Sequence, residues 1–399
     1  MMNSDKIKLT FTTCILIDKE YWFTEDRFSG LFAYDPVSGK IRHVHTFSSI
    51  KWNVVAAFAD KVIRHNNELF FFPCDNDVIV VYNMETRQDK VIKIDGYKGK
   101  RFDVTAVVRE KDKVLFASGD SRCIYELDLN SKLTKISSKL SEAVKNNPEA
   151  EGIAYTYISG ELWLAVRGTN ILYHLNQAWE ISEKWFVPCH ELKISSMAFD
   201  GELLWFAQRW SADVVSWNKK HNEIKGYEIQ NHDWLDGADE NPREWPYHNI
   251  VIGNGEIILV NSLAKYMLKF IPDREGFVEK IGDSSDIEYY DASYFREERY
   301  HGFYQHLGNE IWTSQILRNK AIKYNLLSKK YTTVDFRIDK TEIPDYKQEL
   351  LKIFDDVQME RYEVLGLEEL FGILDSSGCK EFVANNVGGK IYDHIMVIN

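Results

Sequence analysis

The chain has 399 residues, of which 14% are aromatic and 28% charged, and its formal net charge is −12 at pH 7. This acidic balance, without a run of lysine and arginine interleaved with aromatic residues, argues against a nucleic-acid partner. No apolar stretch approaches the roughly 20 residues that a membrane-spanning helix needs, and the first residues lack the pattern of a secretory signal.

Cysteine usage indicates the compartment. The five cysteines are odd in number and fall in no metal-ligand spacing; they are Cys14, Cys74, Cys123, Cys189 and Cys379. Unpaired thiols are typical of a reducing environment. We therefore expect a cytoplasmic protein.

A paired hydrophobic signal recurs seven times along the chain. In each unit a bulky apolar residue of one strand-like run is followed, twelve residues later, by another that closes a second run. The pairs are Trp22/Tyr34, Phe70/Tyr82, Leu115/Leu127, Trp163/Leu175, Trp205/Trp217, Ile258/Phe270 and Trp312/Tyr324. Because this spacing holds while successive units lie 42 to 54 residues apart, the signal indicates a structural repeat.

Each unit is predicted to form four short strands. In the first unit the runs Leu9 to Ile17, Glu20 to Thr24, Leu31 to Tyr34 and Lys40 to His45 are rich in β-branched and aromatic residues and are separated by turn-forming residues. Four-stranded units that recur at this distance are typical of propeller blades. The sequence therefore predicts an all-β, seven-bladed β-propeller over residues 1–339.

A turn former follows the second member of six of the seven pairs. These residues are Asp35, Asn83, Asp128, Asn176, Asn218 and Asn325, and the sixth unit has Ile271 instead. Such side chains accept hydrogen bonds from the backbone two residues further on. We expect each to shape the tight turn before the fourth strand.

Residues 340–399 are predicted to be a C-terminal helical extension. Tyr346, Leu350, Ile353, Phe354 and Val357 recur at helical spacing, and a second apolar stretch ends near Gly378. Two amphipathic helices would either pack on the ring and close the seam between the first and last blades, or serve as a docking or dimerisation surface.

Candidate catalytic residues follow from the geometry of a propeller. The links between blades and the turns between second and third strands emerge on one face, around the channel mouth. There the innermost strands are expected to present a polar ring, formed by Asn53, Asp103, Glu151, Ser195, His248 and His301. Of these, His248, His301, Glu151 and Asp103 are the candidates for catalysis.

The same face is expected to bind a substrate or partner. The interblade links 139–150, 231–246 and 283–300 are longer than a turn requires, and the first has helical character. The candidate binding residues from the links and turns are Asn53, Arg167, Arg209, Trp210, Trp234, Trp245, Tyr290 and Arg296. Aromatic and charged side chains together suit a protein, peptide or glycan.

The two histidines admit a second interpretation. With Glu151 or Asp103 across the mouth, His248 and His301 would hold a divalent metal or act as acid and base. The alternative is that each histidine is a polar residue that caps a strand or bonds a neighbouring blade. No Gly-rich phosphate loop, Gly-x-Ser-x-Gly elbow or nucleophilic Cys/His motif occurs, so no cofactor beyond that metal is expected.

The units resemble kelch-like β-propeller repeats. In the fourth unit, Glu161-Leu162-Trp163-Leu164 is followed by Leu172-Tyr173-His174-Leu175-Asn176, an aromatic-containing second strand before a third strand that ends in a polar turn. The resemblance covers residues 7–339. It implies a platform for proteins or ligands in most cases, and in some members a hydrolase, lyase or oxidase that works at the channel mouth.

Two functions therefore compete. The favoured one is a non-catalytic binding or scaffold propeller that recognises a protein, peptide or glycan on its top face. The alternative is a lyase or hydrolase that acts on a carbohydrate or peptide at the mouth, assisted by a metal at His248 and His301.

Overall fold

The structure is a computed structural model, and the residues that it describes are 6–9, 11–25, 30–50, 59–74, 76–98, 102, 104–119, 122–229, 246–261, 267–282, 303–314 and 320–343. The first strand within them, β1 (Lys6–Lys8), precedes the first blade. The predicted C-terminal helices lie outside the described residues, so their existence and their role stay predictions.

Seven four-stranded antiparallel sheets follow one another in chain order, as the repeat predicted. Blade one consists of β2 (Phe11–Ile17), β3 (Glu20–Glu25), β4 (Gly30–Tyr34) and β5 (Ile41–Thr46). Blade two consists of β6 (Ala59–His65), β7 (Glu68–Pro73), β8 (Val78–Asn83) and β9 (Gln88–Lys93). Blade three consists of β10 (Val104–Glu110), β11 (Lys113–Ser118), β12 (Ile124–Asp128) and β13 (Leu133–Ile136). A helix, α1 (Ser138–Lys145), lies in the first long link, where helical character was expected.

The remaining blades have the same organisation. Blade four consists of β14 (Ile153–Ile158), β15 (Glu161–Val166), β16 (Ile171–Leu175) and β17 (Ile181–Phe186), and blade five of β18 (Ile194–Phe199), β19 (Leu204–Gln208), β20 (Val214–Asn218) and β21 (Glu223–Tyr227). Blade six consists of β22 (Tyr247–Gly253), β23 (Glu256–Asn261), β24 (Met267–Ile271) and β25 (Phe277–Ile281). Blade seven consists of β26 (Phe303–Leu307), β27 (Glu310–Ser314), β28 (Lys320–Asn325) and β29 (Lys330–Asp335). The last strand is β30 (Arg337–Asp339).

The first strand of each blade is the innermost. Contacts between first strands run around the ring, from β2 to β6, β10, β14, β18 and β22, and from β26 back to β2. The middle strands of a blade are covered on both faces by neighbouring blades, so they are almost continuously apolar: every residue of β7 after the first is buried. The outermost strand β9, in contrast, is largely exposed. This increase in exposure from the middle to the outermost strand of one blade follows from the radial arrangement of the sheets.

The core is divided among the interfaces between blades. One buried cluster joins blades two and three through Phe72, Phe102 and Tyr125, and another joins blades four and five through Trp163 and Trp217. The predicted anchor pairs therefore lie in the second and third strands and pack between sheets.

The predicted turns are confirmed in all six blades that carry Asp or Asn. The side-chain oxygen accepts a hydrogen bond from the backbone nitrogen two residues on, at 2.9 to 3.1 Å between nitrogen and oxygen; the acceptors are Asp35, Asn83, Asp128, Asn176, Asn218 and Asn325. The sixth blade, with Ile271, has a short 3-10 helix at Pro272–Arg274 in this place. A different local structure thus replaces the missing side-chain acceptor.

The seam between the first and last blades is closed by backbone pairing. β1 pairs antiparallel with β30, so that Lys6 lies opposite Asp339, and the Leu9 nitrogen donates to the Phe336 oxygen at 2.8 Å. From the sequence, the C-terminal helices are one expected means of closure. Among the described residues this ladder, which belongs to no blade, has that role.

A bulge marks the start of the innermost strand in five blades. The inserted residues are Thr12, Asp60, Thr105, Ser195 and His248. A bulge opposes two residues of one strand to one residue of its partner, so it changes which side chains face the channel. These five bulges therefore set the lining of the mouth.

Candidate functional site

Residues predicted for the mouth come together where blades four and five meet. The Glu151 nitrogen donates to the Arg167 oxygen at 3.1 Å, and the Arg167 nitrogen donates to the Gly152 oxygen at 3.1 Å. In the next blade the Arg209 nitrogen donates to the Lys193 oxygen at 2.7 Å. These bonds tie the links between blades to the turns between second and third strands, so both emerge on one face.

Arg209 connects the side chains at this place. Its guanidinium forms an ion pair with the Glu151 carboxylate and lies 5.0 Å from the centre of the Trp210 ring system. The Arg209 side chain is only 13% exposed, whereas Trp210 is 52% exposed. We call Glu151, Arg167, Arg209 and Trp210 the mouth cluster. It presents an open aromatic surface whose neighbouring cation is fixed by a carboxylate.

The backbone of Trp210 is unusual for a bulky residue. Its φ is +64°, in the left-handed region, and Gly168 occupies the same turn position in blade four with φ +81°. A tryptophan meets a steric cost there that glycine does not. An exposed tryptophan at a position suited to glycine points to a role other than packing.

A second group of polar side chains lies deeper, where the innermost strands line the channel. We call Lys61, Ser196, Asn249 and Tyr304 the channel cluster; they belong to blades two, five, six and seven. The Lys61 Nζ lies 5.2 Å from the centre of the Tyr304 ring and 2.9 Å from Oδ2 of Asp60. The contact between Lys61 and Tyr304 joins blades two and seven, which are not adjacent, so this cluster reaches past the innermost strand of blade one.

Hydrogen bonds order the channel cluster. The Ile250 nitrogen donates to Ser196 Oγ and to Asn249 Oδ1, at 2.9 Å each. The Ser196 hydroxyl also bonds Asn249 Oδ1, and Asn249 Nδ2 bonds the Tyr304 hydroxyl oxygen. Gln305, in blade seven, donates from its side chain to the backbone oxygen of Asp60 at 3.0 Å. This bond reaches past blade one and holds the bulge of blade two.

Electrostatics keep Lys61 charged. Burial alone would lower the pKa of Lys61, but the charge of the Asp60 carboxylate and its hydrogen bond with the ammonium act in the opposite direction, and this pKa is raised. Burial raises the pKa of Tyr304, although Lys61, the hydrogen bond from Asn249 and the Arg167 guanidinium act in the opposite direction. Tyr304 thus stays protonated beside a lysine that stays cationic. Arg167 of the mouth cluster thus acts electrostatically on Tyr304 of the channel cluster.

The other predicted site residues fall into two groups. Ser195 is described, and its buried hydroxyl has no hydrogen-bond partner within the described residues. Those that lie outside the described residues are Asn53, Asp103, His301, Trp234, Trp245, Tyr290 and Arg296. His248 lies in β22, but its side chain is outside the description too. Their roles stay predictions.

Two residues of the predicted polar ring can be placed relative to the bulges of the innermost strands. Ser195 and His248 occupy equivalent bulge positions, and the pair Tyr247-His248 opens its strand as expected. In blade two the strand begins at Ala59, so its equivalent residue is Asp60 rather than Asn53.

The metal interpretation depends on His248 and His301 and stays a prediction. Within the described ranges, no group of three or more His, Cys, Asp or Glu side chains is arranged to hold a metal ion. The histidine side chains on which that interpretation depends are not among them. Nor does the described part of the chain contain a helix of the length and apolarity that crossing a membrane requires.

Comparison with known proteins identifies the fold. No protein-family model matches the chain, and no curated protein matches its sequence. The structure is similar to virginiamycin B lyase from Staphylococcus aureus, with a TM-score of 0.54, 11% identity, and coverage of 78% of this chain and 95% of that one. A streptogramin B lyase matches with a TM-score of 0.52, 13% identity, and coverage of 79% and 93%.

A catalytically inactive variant of the Staphylococcus aureus lyase, solved with quinupristin, matches with a TM-score of 0.54, 12% identity, and coverage of 79% and 94%. Identities this low establish the propeller fold alone. The kelch-like resemblance is not confirmed by these matches, and the fold does not decide between binding and catalysis.

Proposed function

We propose that this propeller is a binding protein that recognises a peptide or glycan at the channel mouth, with Trp210 as the stacking surface. The observation that carries the proposal is the mouth cluster itself: a half-exposed tryptophan in a left-handed conformation, beside a largely buried arginine that is ion-paired to Glu151.

The chemistry of the cluster suits such a ligand. The Trp210 ring offers a flat apolar face for a sugar ring or an aromatic side chain. Because Arg209 is already held by Glu151, little conformational freedom is lost there when a ligand binds. The proposal includes the cytoplasmic location that the cysteines suggest.

The test is a binding screen with the full chain and a matched pair of variants. Glycan and peptide arrays would supply ligands, and calorimetry would measure affinity. Trp210→Gly removes the ring but leaves the residue that blade four has at this position, so the turn should persist. We expect binding to weaken by about tenfold or more, as the loss of an aromatic contact of about 1.5 kcal/mol implies.

Phe277→Ala is the control, because Phe277 is 40% exposed on the outer strand β25 and pairs with Ile271 beside the turn between third and fourth strands, at the end of the blade opposite the mouth. It should bind like the unaltered protein. The proposal is wrong if no array ligand binds, if the glycine variant binds as well as the parent, or if mass spectrometry shows that bound ligands are converted to products.

A further inference from the structure

The channel cluster is a directional chain of hydrogen bonds. A backbone N–H can only donate, so the bond from the Ile250 nitrogen at 2.9 Å fixes the acceptor on Asn249 as its carbonyl oxygen, Oδ1. The amide nitrogen, Nδ2, must then donate to the Tyr304 oxygen. The direction of the chain is therefore determined by the backbone and not by choice of an amide rotamer.

The chain ends at the Tyr304 hydroxyl. Its oxygen accepts from Asn249, which leaves the hydroxyl proton for a further acceptor. Within the described residues, the contacts of Tyr304 include no acceptor for this proton. A donor at the end of an ordered chain is oriented before a ligand arrives.

The Lys61 ammonium lies over the ring that carries this donor. The Lys61 Nζ is 5.2 Å from the centre of the Tyr304 ring, and the ammonium has three N–H groups, one of which bonds Asp60 at 2.9 Å. Arg167 adds a positive potential at Tyr304. The Lys61 side chain is 24% exposed and the neighbouring Tyr155 is 37% exposed, so solvent reaches the cluster.

We propose that the channel cluster is a binding subsite for an oxyanion, a carboxylate or phosphate group, which accepts the Tyr304 hydroxyl proton and pairs with Lys61. An ammonium over the ring of a tyrosine whose hydroxyl can donate favours an acceptor with negative charge. The subsite lies inside the mouth that carries Trp210, and it rests on the proposed function only in that one ligand would span both places.

Small anions test the subsite directly. The full chain, labelled with 13C-tyrosine, would be titrated with sodium malonate or with inorganic phosphate at constant ionic strength, and the Tyr304 resonance would be assigned by its loss in Tyr304→Phe. We expect a saturable shift of Tyr304 with at least one anion, and the stronger one identifies the oxyanion. Lys61→Met should weaken binding by about ten- to a hundredfold, as for the loss of a hydrogen bond to a charged group.

Two further variants make the result unambiguous. Tyr304→Phe keeps the ring, and its weaker binding would be followed through Tyr155. Lys90→Met on the outer strand β9 is the control and should bind like the parent. The inference is wrong if binding of neither anion saturates, or if Lys61→Met and Tyr304→Phe both bind as well as the control.

The subsite and the proposed function can fail separately. Loss of anion binding alone, with Trp210-dependent binding intact, removes only the subsite. If the anions bind but no ligand of the glycan and peptide arrays does, only the proposed recognition of a peptide or glycan is wrong.

Discussion

At the scale of single residues, Asp89 shows how buried polar groups join blades. Its carboxylate accepts hydrogen bonds from His45 Nε2 at 2.7 Å and from the Ser49 nitrogen at 2.8 Å, both in the first blade or the link that follows it. Burial would raise the pKa of Asp89, but the hydrogen bonds from Ser49 and His45 outweigh it and hold this pKa below its ordinary value. The ionised form therefore stabilises the fold.

This predicts a pH dependence with a definite sign. Because the pKa of Asp89 is lower in the folded than in the unfolded protein, its contribution is complete above the unfolded value of about 3.9 and is lost as pH falls through the folded value. Asp89→Asn should lower the free energy of unfolding by about 1–3 kcal/mol at pH 7. The difference from the parent should narrow below roughly pH 4.

Urea unfolding at several pH values measures this difference. The exposed Asp77 provides the control, since Asp77→Asn should change stability by no more than about 0.5 kcal/mol at any of them. A constant difference between parent and Asp89→Asn from pH 7 to pH 3 would contradict the assignment.

Single residues also show what the sequence could reveal. An Asx turn depends on one side chain and the two residues after it, so six such turns were predictable from Asp35 to Asn325. The channel cluster depends on residues 243 positions apart, Lys61 and Tyr304, and on bulges that insert one residue. Nothing in a local pattern shows an inserted residue, so the register of the mouth was only partly predictable.

At the scale of elements, a glutamate opens the second strand in five blades. These residues are Glu20, Glu68, Glu161, Glu256 and Glu310. Three of them bind a side chain of the following blade: Glu68 binds Lys132 at 2.7 Å, Glu256 binds Tyr324 at 2.6 Å, and Glu310 binds Tyr21 at 2.5 Å. The start of this strand thus links each of these blades to its neighbour.

The Tyr324 bond gives a test of this link. Burial would raise the pKa of Glu256, but hydrogen bonds from Lys269 and Tyr324 outweigh it and lower this pKa, so the carboxylate is ionised at pH 7. Tyr324→Phe removes a donor from a charged group that is 3% exposed, and it should lower the free energy of unfolding by about 1.5–3 kcal/mol.

Tyr331→Phe is the matched control, because Tyr331 is 45% exposed on the outermost strand of the same blade. Chemical denaturation should show a change within about 0.5 kcal/mol for this variant. Equal effects of the two substitutions would show that the glutamate does not link the blades.

At the scale of the whole molecule, closure of the ring requires contacts between the first and last blades that the repeated blade structure does not contain. Each blade is built from four consecutive strands, so no blade sheet borrows a strand from the other end of the chain within the described residues. Closure comes instead from the β1–β30 ladder and from Phe336, whose ring lies 5.8 Å from Phe11 and 4.8 Å from Phe23. Trp312 of the last blade lies 6.5 Å from the same ring.

The sequence predicted the number of blades but not this seam. The anchor pairs repeat, so seven of them indicate seven sheets; the seam occurs once, and its strands have three residues each. A segment that short has no periodicity from which pairing could be inferred. Its partner also lies more than 300 residues away, between Lys8 and Arg337.

Phe336 is where the closed ring should be most sensitive. It is 1% exposed and contacts aromatic side chains of both the first and the last blade, so Phe336→Ala should lower the free energy of unfolding by about 3–5 kcal/mol. Phe186→Ala, on an exposed outer strand, should lower the free energy of unfolding far less, since little buried surface is lost.

Urea unfolding followed by tryptophan fluorescence and by far-ultraviolet circular dichroism would measure both variants. If the seam holds the ring as one unit, the two probes should still report a single coincident transition at a lower midpoint. Similar losses in the two variants would place the closure of the ring somewhere other than Phe336.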